Sequence, residues 1–192
     1  MYSKDLKIRN SSISEIFIKY PIALVGLMGV GKTTAGKQLA KSLNRDFYDS
    51  DYEIEKASGR TITGYFKDYG EKEFRKGERR VIERLLGSEA IVLATGGGAY
   101  VQKETHKILN RKALTIWLKG DLSTIMDRVS RNYDKRPLLQ VNDPEAKIKE
   151  LIKTRHPIYS KAHITVTIDN DEQYSISNKI IHAIKKYQSD NK

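Results

Sequence analysis

The apolar run Pro21–Val25 (PIALV) opens directly into Gly26–Thr34 (GLMGVGKTT), and no other stretch narrows the fold of this chain as much. A short apolar run followed by G-x-x-x-x-G-K-T reads as a buried strand, a glycine-rich turn and the start of a helix. Backbone N–H groups can wrap an anion in such a turn only where the chain adopts angles that a Cβ resists, which Gly26, Gly29 and Gly31 permit. Lys32 adds positive charge and Thr33 offers a hydroxyl ligand for Mg²⁺. A helix expected from Lys32 to about Leu43 aims the positive end of its dipole at the same point. Gly29, Val30, Gly31, Lys32, Thr33 and Thr34 are therefore the expected phosphate contacts, and the expected ligand is a magnesium–nucleoside triphosphate.

From Pro21 onward, short apolar runs alternate with helical stretches. Strands are expected at 21–25, near 46–49, at 90–94, 113–118 and 163–168. Helices are expected at 32–43, across 51–57 and 71–86, near 104–110, and at 121–130, 144–154 and 174–187. This alternation specifies an α/β fold, a parallel sheet covered by helices on both faces. The 192 residues suit one domain over 21–192. Residues 1–20, with Ile13, Ile16, Phe17 and Ile18, form an N-terminal extension without a motif, and packing or disorder are both open.

Composition removes several classes of function. Zero cysteines exclude disulfides and thiolate chemistry, and the four histidines form no close pair at metal-ligand spacing. No run of about 18 apolar residues exists and the N-terminus lacks an apolar signal core, so no membrane segment and a cytoplasmic location are expected. The net charge of +11 is spread along the chain, mostly as lysine, without interleaved aromatics. It reads as a solvated surface plus a few arginines for small anions rather than as a nucleic-acid interface.

Ligands of parallel α/β sheets bind beyond the C-terminal strand ends. The second such loop carries Asp49-Ser50-Asp51. If the strand continues, both carboxylates share a face, one to hold Mg²⁺ through water and one to take a proton from a substrate hydroxyl. Alternatively Asp51 is a helix N-cap. The third loop, Thr95–Gly98, contains three consecutive glycines, which imply either a ligand against the backbone or merely a tight turn. It lacks the magnesium-binding aspartate that many P-loop enzymes carry there, which leaves Asp49 as the better candidate. Arg75, Arg136 and Arg155 present guanidinium forks suited to carboxylate or phosphate. Arg75 has Glu78 three residues on, which is either an aiming ion pair or a solvated surface contact. Arg136 follows a polar stretch that reads as a mobile lid over about 130–142. Pro157 is expected to end the helix that precedes Arg155 and to fix the direction of the Arg155 side chain.

The ordered set Gly26–Thr34, Asp49-Ser50-Asp51, Phe74-Arg75, Thr95–Gly98, Arg136-Pro137-Leu138-Leu139 and Arg155-x-Pro157-x-Tyr159 resembles the shikimate kinase family over about residues 21 to 187. The resemblance implies a P-loop kinase fold with a five-stranded parallel sheet and a mobile lid. It implies Mg²⁺-dependent transfer of the ATP γ-phosphoryl group to the 3-hydroxyl of shikimate, within chorismate and aromatic amino acid biosynthesis. Lys32 and the loop backbone would hold phosphates, Thr33 would bind Mg²⁺, and Asp49 would reach it through water. Asp51 would bind substrate hydroxyls and serve as base, Arg75 and Arg155 would clamp the substrate carboxylate, and Gly96, Gly97 and Gly98 would pack on the ring. Arg136 would swing in to neutralise the transferring phosphoryl group. Whether Arg128 or Arg131 contacts adenine is undecided at this level. Shikimate and ATP are the expected partners of a monomer.

A gluconate-type kinase shares the P-loop and the lid, but is not expected to combine Asp49-Ser50-Asp51, the glycine run and the Arg75/Arg155 pair. Intact Lys32, Thr33 and Asp51 argue against a non-catalytic nucleotide-binding protein.

Overall fold

Ile22–Val25 and Ile91–Ala94 are buried at every position, as strands must be when helices cover both faces of a parallel sheet. The computed structural model describes residues 19–88, 90–130, 141–168 and 175–191. Most of the N-terminal extension and of the expected lid, including Arg131 and Arg136, falls outside the described residues.

The strands are β1 (Ile22–Val25), β2 (Asp46–Asp49), β3 (Ile91–Ala94), β4 (Leu114–Gly120) and β5 (Ile164–Ile168). They form one sheet in the order β2-β3-β1-β4-β5, with every pairing parallel. The helices are α1 (Lys32–Leu43), α2 (Ser50–Ser58), α3 (Ile62–Leu85), α4 (Lys103–Lys112), α5 (Leu122–Ser130), α6 (Pro144–Tyr159) and α7 (Ile176–Asp190), with a 3₁₀ turn at Ala99–Val101. No described helix is long and apolar enough to cross a membrane.

Register assigns helices to faces. Leu24 aligns with Ile116 and Val25 with Trp117, so neighbouring residues point to opposite sides of the sheet. A methyl at Gly36 of α1 would lie 3.4 Å from Leu24 Cδ1. Trp117 instead meets His156 of α6 edge-on at 5.0 Å between ring centroids. Helices α1 and α6 therefore cover opposite faces. Strand order reverses at β1, between β3 and β4, and the P-loop leaves the sheet at that switch point, where doubly wound folds bind ligands.

Two helices depart from the sequence expectation. The stretch expected at 71–86 is the second half of α3, which begins at Ile62 with Thr61 as its N-cap, the Thr61 Oγ1 accepting from Gly64 N at 3.1 Å. Gly70 interrupts it at φ 76° and ψ 170°, a non-helical joint that the sequence presents as a helix start. Pro157 does not end α6, which runs on to the buried Tyr159. Proline removes only the bond to the Lys153 carbonyl, and Pro157 and Lys153 both lie on the exposed side, where water can take that bond.

Candidate active site

The donor half starts at Gly31, the N-cap of α1, whose φ of 88° is left-handed and which supplies no side-chain cap. First-turn N–H groups of α1 are therefore left to an anion. Lys32 is only 8% exposed, and its Nζ donates to the carbonyls of Gly26 at 2.9 Å and Leu27 at 2.7 Å, which holds the ammonium inside the loop. Thr33 Oγ1 donates to Asp49 Oδ2 at 2.7 Å. The second Asp49 oxygen accepts from the backbone N–H of Asp51 at 3.0 Å and of Tyr52 at 3.4 Å, so Asp49 is the N-cap of α2. Both readings of Asp51 in terms of local structure need correcting. The strand stops at Asp49 and does not carry the two carboxylates on one face, and Asp51 sits in the first turn of α2 rather than capping it.

A cavity of about 390 Å³ nonetheless brings the residues together: Gly29, Gly31, Lys32, Thr33, Thr34, Asp49, Asp51, Thr95, Gly97 and Arg128 all line it. Val30 is buried below it, and its carbonyl accepts from Arg128 Nη1 at 3.2 Å. Arg128 thus lies on the P-loop side of the cavity. Thr33 and Asp49 present only oxygen donors, and no group of three or more His, Cys, Asp or Glu gathers among the described residues. Such a sparse oxygen set fits Mg²⁺, which keeps most of its waters and leans on phosphate oxygens.

The acceptor half gathers around the glycine run. None of Gly96, Gly97 and Gly98 has a positive φ, so a tight turn is not what demands them. The demand is proximity. A methyl on Gly96 would lie 2.6 Å from Asp51 Oδ1 and 2.9 Å from Glu78 Oε1, and one on Gly98 would collide with the Arg75 guanidinium. Arg75 Nη1 donates to Glu78 Oε2 at 2.8 Å and its Nη2 to Glu71 Oε1 at 3.2 Å. Glu78 has no exposed surface, which overturns its reading as a solvated contact. Across the glycines, the Gly97 carbonyl accepts from Arg155 Nη1 at 3.3 Å and from the Tyr159 hydroxyl.

Electrostatics follow burial. The Asp51 carboxyl is pushed up to about 6, first by burial and then by Asp49, against the pull of Lys32 and Arg75. Glu78 is pushed up to about 7 by burial, which outweighs its ion pair with Arg75. Burial also pushes the Tyr159 phenol up to about 12. Glu78 was not among the residues expected to form the site, and its one signal was the i,i+3 spacing from Arg75; Tyr159 stood only in the motif set and Arg128 only as an undecided adenine contact.

A phosphate cradle on a parallel sheet, beside a cluster of carboxylates and two arginines around the glycine run, defines a small-molecule P-loop phosphotransferase. Residues 28–185 match the sequence model of the family described as Shikimate kinase. The chain is 44% identical over 181 residues to a shikimate kinase of Bartonella henselae, covering 94% of this chain and 85% of that protein. It is 54% identical over 145 residues to one of Nitrobacter winogradskyi, covering 76% of this chain and 67% of that protein. The structure of shikimate kinase from Acinetobacter baumannii in complex with shikimate superposes with a TM-score of 0.83 at 36% identity, covering 94% of this chain and 98% of that one. The chain belongs to the shikimate kinase family.

Proposed function

We propose that this protein is an ATP-dependent shikimate kinase that phosphorylates the 3-hydroxyl of shikimate, with its residues in the following roles. The observation that carries the reading is the position of Asp51. It lines the cavity shared with Lys32 and Thr33 while its Oδ1 meets Gly96 beside the Arg75 cluster, so one carboxylate touches both halves of the site. The N–H groups of the loop and Lys32 hold the phosphates and stay oriented as charge builds on the transferring group. Thr33 would be the hydroxyl ligand of Mg²⁺ and Asp49 its partner through water, the bound ion supplying neutralisation of phosphate charge. Arg75 and Arg155 clamp the substrate carboxylate, with Gly97 and Gly98 under the ring. Asp51 accepts the hydroxyl proton as the new O–P bond forms. Arg136 is assigned to the lid and Arg128 to the nucleotide end.

The test measures ADP release with Mg²⁺ and each of shikimate, gluconate and a nucleoside monophosphate. Release is expected with shikimate alone, and a preference for either other acceptor would sink the reading. Asp51→Asn should lower kcat by about 10²–10⁴-fold while ATP affinity stays within about threefold, since the lost group handles the acceptor proton. Collapse of ATP binding in that variant would contradict the role.

A further inference from the structure

Glu78 is the one buried acid of the site that the phosphoryl transfer leaves unused. Its Oε2 is the counter-ion of Arg75, and its Oε1 is buried with no hydrogen-bond partner among the described residues. That orphaned oxygen and Asp51 Oδ1 converge on the same point above Gly96. The charged and titratable groups around Glu78 come from three helices. Arg75 and Glu71 face it from α3, Asp51 from α2, and Tyr159 from α6 with Arg155 beside it. Asp51 in turn feels Asp49, Glu55 and Lys32. A substrate carboxylate arriving at Arg75 competes with Glu78 for one guanidinium and adds a negative charge where two carboxylates already lie close together.

We propose that docking of the substrate carboxylate on Arg75 drives Glu78 to take up one proton from solvent at Oε1, so that shikimate binding is coupled to proton uptake. The inference rests on reading the Arg75 end as the carboxylate subsite. The balance is simple: a proton leaves the buffer, an O–H bond forms on Glu78, and nothing else is made or broken. The acceptor converging on that oxygen is Asp51 Oδ1, which keeps its own charge and so remains the base. Glu78 is then a positioning residue, adjusting the charge of the site to its substrate. Burial already holds its carboxyl near neutrality in the free enzyme, which places the coupling above pH 7.

Titration calorimetry of shikimate into the whole protein, in pairs of buffers with different ionisation heats at pH 6 and pH 8, reads the protons directly. The wild type should take up more than about half a proton per shikimate at pH 8, and the part of the uptake that Glu78→Gln removes should be far smaller at pH 6, where Glu78 is already mostly protonated. Glu78→Gln, neutral at both values and still able to accept from Arg75, should bind with no buffer-dependent heat at pH 8. Asp51→Asn, which removes one of the two crowded charges but leaves Glu78 and Arg75 in place, should keep part of the uptake. Wild-type binding without uptake at pH 8 overturns the proposal by itself and leaves the carboxylate subsite standing; so does uptake that survives Glu78→Gln or disappears in Asp51→Asn. Unchanged shikimate affinity in Arg75→Ala would instead remove the subsite, and the coupling with it.

Discussion

At the scale of single residues, the glycine run makes the sharpest distinctions. A methyl at position 98 meets the Arg75 guanidinium, which Glu78 and Glu71 hold in place, whereas a methyl at position 96 meets Asp51 and Glu78. Gly98→Ala should therefore raise the KM for shikimate by about tenfold or more, as the loss of a charged hydrogen bond worth about 1.5–3 kcal/mol implies, with kcat little changed. Gly96→Ala should act mainly on kcat, by displacing Asp51, the proposed base. Steady-state kinetics of the two variants checks the split, and equal effects on both parameters would contradict it. The P-loop was fully legible in the sequence because its mechanism lies in the backbone and needs only a contiguous motif. Glu78 was not, because i,i+3 spacing from an arginine looks the same on a wet helix face as on a buried one. Which face is buried depends on Gly96, eighteen residues further on in the chain.

At the scale of elements, the junction of β4 and β5 is held by an imidazole. His163 Nδ1 accepts from Thr115 N at 3.1 Å and lies 2.8 Å from Thr115 Oγ1, while the N–H of His163 donates back to that hydroxyl at 3.1 Å. An acceptor at Nδ1 requires neutral imidazole, and burial lowers the pKa of this group from 6.5. The unfolded chain then binds more protons at His163 than the folded one does. Its contribution is full above about pH 6.5 and is lost as pH falls from there through the lowered value of the folded state. Asp51 and Glu78 work in the opposite sense, because their raised values let the folded state hold protons that the unfolded state releases. Comparing the wild type with His163→Ala isolates the histidine. The variant's deficit in unfolding free energy, about 1–3 kcal/mol at pH 7.5, should shrink at pH 5.5. A deficit that is constant with pH would refute this. Strands β1 and β3 were legible from their unbroken apolar runs and β5 from its alternation; the helix boundaries were less so. Gly70 and Pro157 both signal breaks, yet the first joins two helical halves and the second sits on an exposed side where its missing bond costs little.

At the scale of the whole molecule, size does not mark the site. A cavity of about 480 Å³ lies at the opposite, N-terminal strand ends, between Tyr20, Leu114, His163 and Tyr187, and exceeds the one beside the P-loop. What distinguishes the smaller cavity is its charge and its place at the switch point of the sheet. The face opposite α1 also carries Trp117, the single tryptophan of the chain. Its ring packs on His156, the neighbour of Arg155, and a methyl on Gly26 would come within 3.4 Å of its Cδ1. The indole is buried, and its N–H has no hydrogen-bond partner among the described residues. The enzyme consequently carries its own optical reporter, wedged between the root of the P-loop and the helix that bears Arg155. Saturating shikimate should change its emission with a midpoint that shifts to higher concentration in Arg155→Ala. With no second indole to dilute the signal, a flat titration would mean that substrate binding does not reach this face of the sheet.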